Sequence, residues 1–248
     1  MTEWMIGTAG WSIPSAVRDA FPPEGSHLAR YATRLRAVEI NSSFYRPHRR
    51  STYARWAETV GTDFRFAVKL PKAISHAPPS DATAPAIERF TEEVLGLGDK
   101  LGVVLIQFPP GHAYDEAQAR ALFSAIGTAL YCPLVCEPRH PSWFRDDVDQ
   151  LFETMRIARV AADPAVVPGA DRPGGWKGVR YRRLHGSPRI YYSDYPPAAI
   201  AAVRERIVSE LAEGGESWCI FDNTALGAAT ANALELEADM RSKAESWR

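Results

Sequence analysis

Within the ten positions from Val135 to Phe144, two apolar residues run into Glu137, Arg139, His140 and Trp143. A carboxylate, a guanidinium, an imidazole and an indole so close together can move protons, hold an anion and stack on a ring. The apolar run reads as a short buried strand, and Pro138 and Pro141 stop it where the charges begin. The polar groups therefore stand at the strand's C-terminal end. The same pattern recurs along the chain. Apolar runs end in Thr8 and Trp11; in Glu39 and Asn41, followed by Tyr45 and Arg46; in Lys69, with His76 in the next loop; and in Gln107. Further runs end in Asp163, in Arg183 and His185, and in Asp222 and Asn223.

Eight runs read as strands: residues 5–8, 37–41, 64–69, 103–108, 135–137, 157–162, 179–184 and 218–221. Helical periodicity separates most of them. It covers 27–35 with Ser26 as N-cap, 51–60 with Ser51 as cap and Trp56 on the buried side, and 83–97 with Pro85 in the first turn. It returns in 115–130, capped by Asp115, in 147–155, in 196–213, stopped by Gly214-Gly215, and in 225–244. Residues 71–85 read as a proline-rich loop, and 164–178 are rich in Pro and Gly with no helical period. Strands alternating with helices imply parallel pairing. Eight such units in 248 residues predict an α/β TIM (β/α)8 barrel filling 1–248 as a single domain, its sixth helix replaced by the loop at 164–178. An open doubly wound sheet is the rival.

Active sites of such barrels lie at the C-terminal strand ends. Strand alternation sends Glu39, Lys69, Gln107, Glu137 and His185 inward, and turns Val38, Ile40, Phe66, Val68, Ile106, Cys136 and Leu184 toward the helices. Five polar groups at one mouth are costly unless paired or used. Glu39, Lys69, Glu137 and His185 are the candidate catalytic set. Glu39 or Glu137 would be the general acid or base, and His185 a second proton carrier. Trp11, Asn41, Tyr45, Arg46, His76, Gln107, Arg139, Trp143, Arg183 and Asn223 are the candidate ligand-binding residues. Arg139, Arg183 and Lys69 would hold a carboxylate or phosphate; Trp11, Tyr45 and Trp143 would offer stacking faces. Each has a structural alternative: Glu137 with Arg139 as an ion pair, the aromatics as packing, Lys69 snorkelling to solvent.

A net charge of −1 excludes a global field that recruits nucleic acid or anionic membrane, so an anion site must be local. Three cysteines, Cys132, Cys136 and Cys219, make no disulfide framework and fit a reducing compartment. No apolar run reaches the ~20 residues of a membrane span, and the first residues lack the features of a signal peptide. The expectation is a cytoplasmic protein with no membrane contact; the oligomeric state is not encoded in any feature of the sequence.

Seven segments resemble the YecE-like proteins, domain-of-unknown-function family 72. They are Gly7-Thr8-Ala9-Gly10-Trp11, residues 38–46, Phe66-Ala67-Val68-Lys69 with His76, residues 105–110, residues 137–144, Arg183-Leu184-His185-Gly186 and Phe221-Asp222-Asn223-Thr224. They span nearly the whole chain in order. The resemblance implies a TIM barrel and supplies no reaction, although an analogy to metal-dependent barrel endonucleases exists for such proteins. The sequence departs from the family pattern at Pro138, at Asp222 in place of an asparagine, and at Ile13 in place of an aromatic.

The leading expectation is an enzyme, a hydrolase, lyase or isomerase, acting on a small anionic or sugar-like substrate without an assigned cofactor. A divalent metal on Glu39, Glu137, Asp163, His185 and Asp222 is an alternative, though no HxH or HExxH spacing occurs. A second class is a nucleic-acid or ligand-binding module using Arg46, Arg49, Arg50, Arg139 and Arg183 with Tyr45 and Trp143.

Overall fold

The structure, a computed structural model, describes residues 4–78 and 80–245. In chain order the elements begin with β1 (Trp4–Ala9), α1 (His27–Tyr31), β2 (Ala37–Ile40), α2 (Ser42–Tyr45) and α3 (Arg50–Thr59). There follow β3 (Arg65–Lys69), α4 (Lys72–Ser75), α5 (Thr83–Val94), β4 (Leu101–Gln107), α6 (Glu116–Ala129), β5 (Leu134–Glu137) and α7 (Asp146–Thr154). The last third holds β6 (Ile157–Arg159), β7 (Ala161–Asp163), β8 (Gly174–Gly175), β9 (Val179–Leu184), α8 (Pro197–Ala212), β10 (Glu216–Phe221) and α9 (Ala228–Glu245).

The sheet runs β7-β9-β10-β1-β2-β3-β4-β5-β6-β8, with every pairing parallel except β6 with the two-residue β8. The strand expected at 157–162 is two strands divided at Val160. Its first half pairs with β5 and its second half with β9. The barrel therefore closes through one continuous segment, 157–163, that changes partner midway. The fold is a nearly closed (β/α)8-type barrel, as the alternation of elements predicts. Residues 164–178 hold turns and β8.

Local corrections concern helix ends. Ser26 and Asp115 cap as expected, accepting from the amides of Ala29 at 3.2 Å and Gln118 at 2.9 Å. Ser51 does not cap: α3 starts one residue earlier, behind Arg49, with no side-chain cap. The loop expected at 71–85 contains the short helix α4, and α1 ends at Tyr31, four residues short of Leu35.

Alternation sorts the strands into two apolar clusters. Val38, Ile40, Phe66, Val68, Ile106, Cys136 and Leu184 pack outward with the helices. Ala37, Ala67, Leu105, Val135, Tyr181 and Ile220 fill the barrel with Val103, Val179 and Trp218. Trp218 stacks on Tyr181 with centroids 5.8 Å apart, and the room for its indole comes from Gly102, where a Cβ would lie 2.7 Å from the ring. Ala37, Ala67, Leu105, Val135, Tyr181 and Ile220 are each followed two positions on by a polar residue: Glu39, Lys69, Gln107, Glu137, Arg183 and Asp222. The strand period alone thus stacks a polar ring on an apolar plug.

Gly7 shows how tight the first turn of the barrel is. The Tyr31 hydroxyl donates to Ala37 O at 2.9 Å and accepts from Thr8 N at 2.9 Å, bridging β1 and β2. A Cβ on Gly7 would sit 2.1 Å from Ala37 O. Gly7→Ala is therefore expected to cost about 3 kcal/mol, read as a lowered denaturation midpoint with an unchanged m value.

Candidate functional site

The ring at the C-terminal end of the barrel is organised by Arg183. Its side chain is fully buried. Nε and Nη2 donate to Glu39 Oε2 at 2.9 Å and Oε1 at 2.7 Å, a bidentate pair from β9 across to β2. Nη1 donates to Glu137 Oε2 at 2.7 Å, and Nη2 also reaches Asp222 Oδ2 at 2.9 Å. Tyr181 closes the remaining side, donating from its hydroxyl to Glu39 Oε2 at 2.9 Å.

His185, two residues on, stands between two of the same carboxylates. Nδ1 lies 3.0 Å from Asp222 Oδ2 and Nε2 lies 3.1 Å from Glu137 Oε1. Burial works against a charged imidazole here, but the negative charge of Glu137 and the hydrogen bonds the ring donates to both carboxylates outweigh it, and the pKa of His185 rises. Burial likewise opposes ionisation of Glu137 and Asp222. Arg183 and His185 overcome it, holding Glu137 well below the usual carboxylate range and Asp222 below it. The group at the strand ends is an imidazole clasped by two carboxylates that favour its protonated form.

Two cations and a second imidazole stand around this centre. Arg139 donates from Nε and Nη2 to Glu137 Oε1 at 3.1 and 2.9 Å, with its side chain 20% exposed. Lys69, almost buried, rests its ammonium 4.3 Å from the centroid of the Phe44 ring. Burial, then the positive charge of Arg183, pushes the Lys69 pKa down to about 8, while Glu39, Glu137 and Asp222 pull the other way. His76 is half-buried beside Phe44 with its Nδ1 3.0 Å from Ser75 Oγ, and burial, then the charges of Lys69 and Arg139, push its pKa down.

The sequence model of "Protein of unknown function DUF72" matches residues 5–247. The chain belongs to the DUF72 family. The UPF0759 protein YecE of Escherichia coli (strain K12) is 30% identical to this DUF72 chain over 141 residues, 56% of the chain and 49% of the relative. The chain thus matches about half the length of that curated relative. Two solved DUF72 proteins share its fold over nearly their full lengths. One, from Enterococcus faecalis V583, has a TM-score of 0.80 at 21% identity, covering 96% of this chain and 95% of that one. The other, from Thermotoga maritima MSB8, has a TM-score of 0.75 at 22% identity, covering 96% and 99%. D-psicose 3-epimerase from Clostridium cellulolyticum H10, solved with D-tagatose, is similar in fold at a TM-score of 0.52 and 8% identity, with 100% and 99% covered.

In this DUF72 barrel the four candidate catalytic residues, Glu39, Lys69, Glu137 and His185, all reach the ring. So do Gln107, whose Oε1 is 3.4 Å from Arg183 Nη1, and Arg139. His76 borders it. Arg183 does not serve as an anion holder, because its donors are occupied by carboxylates. Trp143 is 1% exposed, stacked on Phe108 at 4.7 Å, with Nε1 donating to His112 O; it is packing, and offers no face to a ligand. Asn223 is fully buried, its Nδ2 donating to Ser193 O and Asn232 Oδ1, and pins the loop after β9 to α9. Trp11 packs edge-on against Trp56 at 5.1 Å. Tyr45 and Arg46 point to solvent from the end of α2, and Asn41 sits at the start of α2 with its Oδ1 buried and without a partner.

The metal alternative does not fit the side chains. Asp163 stands apart, accepting at 2.6 Å from the Tyr195 hydroxyl. The guanidinium of Arg183 occupies the space between the carboxylates where an ion would lie. Among the described residues no three His, Cys, Asp or Glu groups are arranged to hold a metal. The nucleic-acid reading loses Arg183 and Trp143 to burial and keeps only the exposed arginines beside Tyr45.

Two participants carried no signal strong enough to be chosen. Tyr181 is a strand residue whose hydroxyl role depends on Glu39, 142 positions away. Tyr191 lies edge-on to His185 at 6.0 Å, on the loop 186–195, with a left-handed φ of 70° and its amide bonded to His185 O. Alternation did hold one unread signal. An inward His185 requires an inward Arg183 one layer deeper.

Removing the hub should be far more damaging than removing the rim. Arg183→Met leaves three buried carboxylates without their cation and is expected to cost about 3–5 kcal/mol, against about 1 kcal/mol or less for Arg139→Met, by chemical denaturation. His185 adds a pH signature. Its folded pKa lies above the ordinary value of 6.5, so its contribution to stability is full below that pH and fades as pH rises through the folded value. The difference in melting temperature between wild type and His185→Gln should be largest below pH 6.5 and narrow as pH rises above it.

Proposed function

We propose that this protein is an enzyme that binds a small anionic, sugar-like substrate at the C-terminal mouth of the barrel and transforms it by acid/base chemistry. The observation that carries this reading is the clasped imidazole of His185, with Asp222 on Nδ1 and Glu137 on Nε2. A purely structural ion network needs no imidazole held between two carboxylates; a proton-transfer site does.

The charge count of the mouth supports an anionic substrate. Glu39, Glu137 and Asp222 face Arg183, Arg139, Lys69 and, when protonated, His185. Four cations against three carboxylates leave one positive charge for a carboxylate or phosphate to neutralise. Arg139 is the natural first contact, because it is the arginine of the ring that reaches toward solvent. Tyr191, 41% exposed, offers a ring face beside His185 for a sugar-like frame. The likeness to D-psicose 3-epimerase is one of fold; it supports a polyhydroxylated small molecule as the frame and an isomerase or lyase as readily as a hydrolase. Three unpaired thiols and the absence, among the described residues, of a helix long and apolar enough to cross a membrane fit a cytoplasmic setting within this reading.

Thermal-shift measurements with a panel of phosphorylated and carboxylated sugars test the proposal, followed by turnover assays on the compounds that stabilise the protein. Glu137→Gln and His185→Gln are each expected to lower turnover at least ~100-fold. A panel without any stabilising anion, or full turnover in both variants, would sink it.

A further inference from the structure

Resting on that reading, we propose that Lys69 is a nucleophile that forms an imine with its substrate, so that the substrate class is a carbonyl compound carrying an anionic group. A buried lysine at a barrel mouth ordinarily finds an acceptor for each ammonium proton. Lys69 does not: among the described residues its ammonium makes no hydrogen bond, and its contact is the face of the Phe44 ring. Its backbone is held from both sides, the carbonyl accepting from Ser43 Oγ at 2.7 Å and β3 pairing with β2 and β4. A rigid strand end thus projects a flexible amine with free valences into the mouth.

The charges around it come from every side. Arg183 of β9 opposes the protonated form, while Glu39 of β2, Glu137 of β5 and Asp222 after β10 favour it; His76 and Arg139 complete the rim. The net result is a pKa near 8, so roughly a quarter of the molecules carry the neutral amine at pH 7.5, against roughly one in a thousand for an ordinary lysine. A cationic carbonyl adduct suits the place as well as the ammonium did: the iminium keeps the positive charge that Glu39, Glu137, Asp222 and the Phe44 face favour.

The step balances without a co-reactant. The Nζ lone pair forms a bond to the carbonyl carbon, and the C=O π pair moves to oxygen. One proton passes from nitrogen to that oxygen, giving a carbinolamine. A second proton, for which the His185 imidazolium is the donor, lets the oxygen leave as water and the nitrogen lone pair form the C=N bond. The protonated imine then draws electrons from the adjacent carbon, and Glu137 or the neutral His185 left behind is the base that removes its proton. Such a sequence exchanges a proton beside the carbonyl, which is isomerase or lyase chemistry.

The test uses the whole wild-type chain, so it does not depend on a variant folding. The protein is incubated with glyoxylate and cyanoborohydride from about pH 6.5 to pH 10.5, and reductive modification at each lysine is followed by peptide mass spectrometry. Lys69 is expected to react at least tenfold faster at pH 7.5 than the exposed Lys72 and Lys177, with a half-maximal rate near pH 8. The neutral aldehyde propanal should show a smaller preference for Lys69 than glyoxylate does. Modification of Lys69 no faster than of Lys72 and Lys177, or a rate still rising above pH 10, overturns the proposal. If anionic sugars stabilise the protein while Lys69 stays unreactive, the imine fails and the acid/base site stands. If neither effect appears, both fail.

Discussion

The guanidinium of Arg183 lies where water cannot reach, and that single fact constrains everything around it. A buried cation of this size is tolerable only if its donors are saturated and its charge is balanced nearby. Glu39 from β2, Glu137 from β5 and Asp222 after β10 supply the acceptors, so strands far apart in sequence are locked into one register around one group. The site is a by-product of this solution. Glu137 and Asp222 each spend an oxygen on Arg183, and Glu137 Oε1 with Asp222 Oδ2 also hold the imidazole of His185. The hub thereby fixes the orientation of the His185 ring.

Exposure grows outward from that hub. Arg183 and Glu39 are sealed. His185 is almost sealed but has Tyr191 and the loop 186–195 above it. Lys69 is nearly buried without a hydrogen bond, and Arg139 reaches solvent. Such a gradient separates the work of holding geometry from the work of meeting a ligand, which is how a preorganised site avoids paying reorganisation at the moment of reaction.

Much of this was legible in the sequence because the strand period is 2. Once an apolar residue is assigned inward, every second neighbour follows, and Glu39, Lys69, Gln107, Glu137 and His185 were placed correctly on that basis alone. What failed was whatever depended on partners distant in sequence. Trp143 looks like a stacking platform until Phe108 and His112 O are found against it. Asn223 looks like a ligand group until Ser193 and Asn232 take its amide. Arg183 looks like an anion holder because an arginine's type says nothing about how many carboxylates already surround it. Ser51 had the right chemistry for a cap but sat one residue inside the helix. The division of 157–163 at Val160 was invisible for a related reason: the apolar run is continuous, and only the change of neighbour from β5 to β9 divides it.

Trp218 and Tyr181, pressed together beneath the polar ring, make the barrel a vessel with a stopper at one end. Whatever enters by the mouth must leave by the mouth. In the enzyme proposed above, a spent molecule would block its successor, and the site would have to empty before it could refill. The loop 186–195 borders that mouth, with Tyr191 edge-on to His185, and in the proposed enzyme it would stand beside the path by which a product departs.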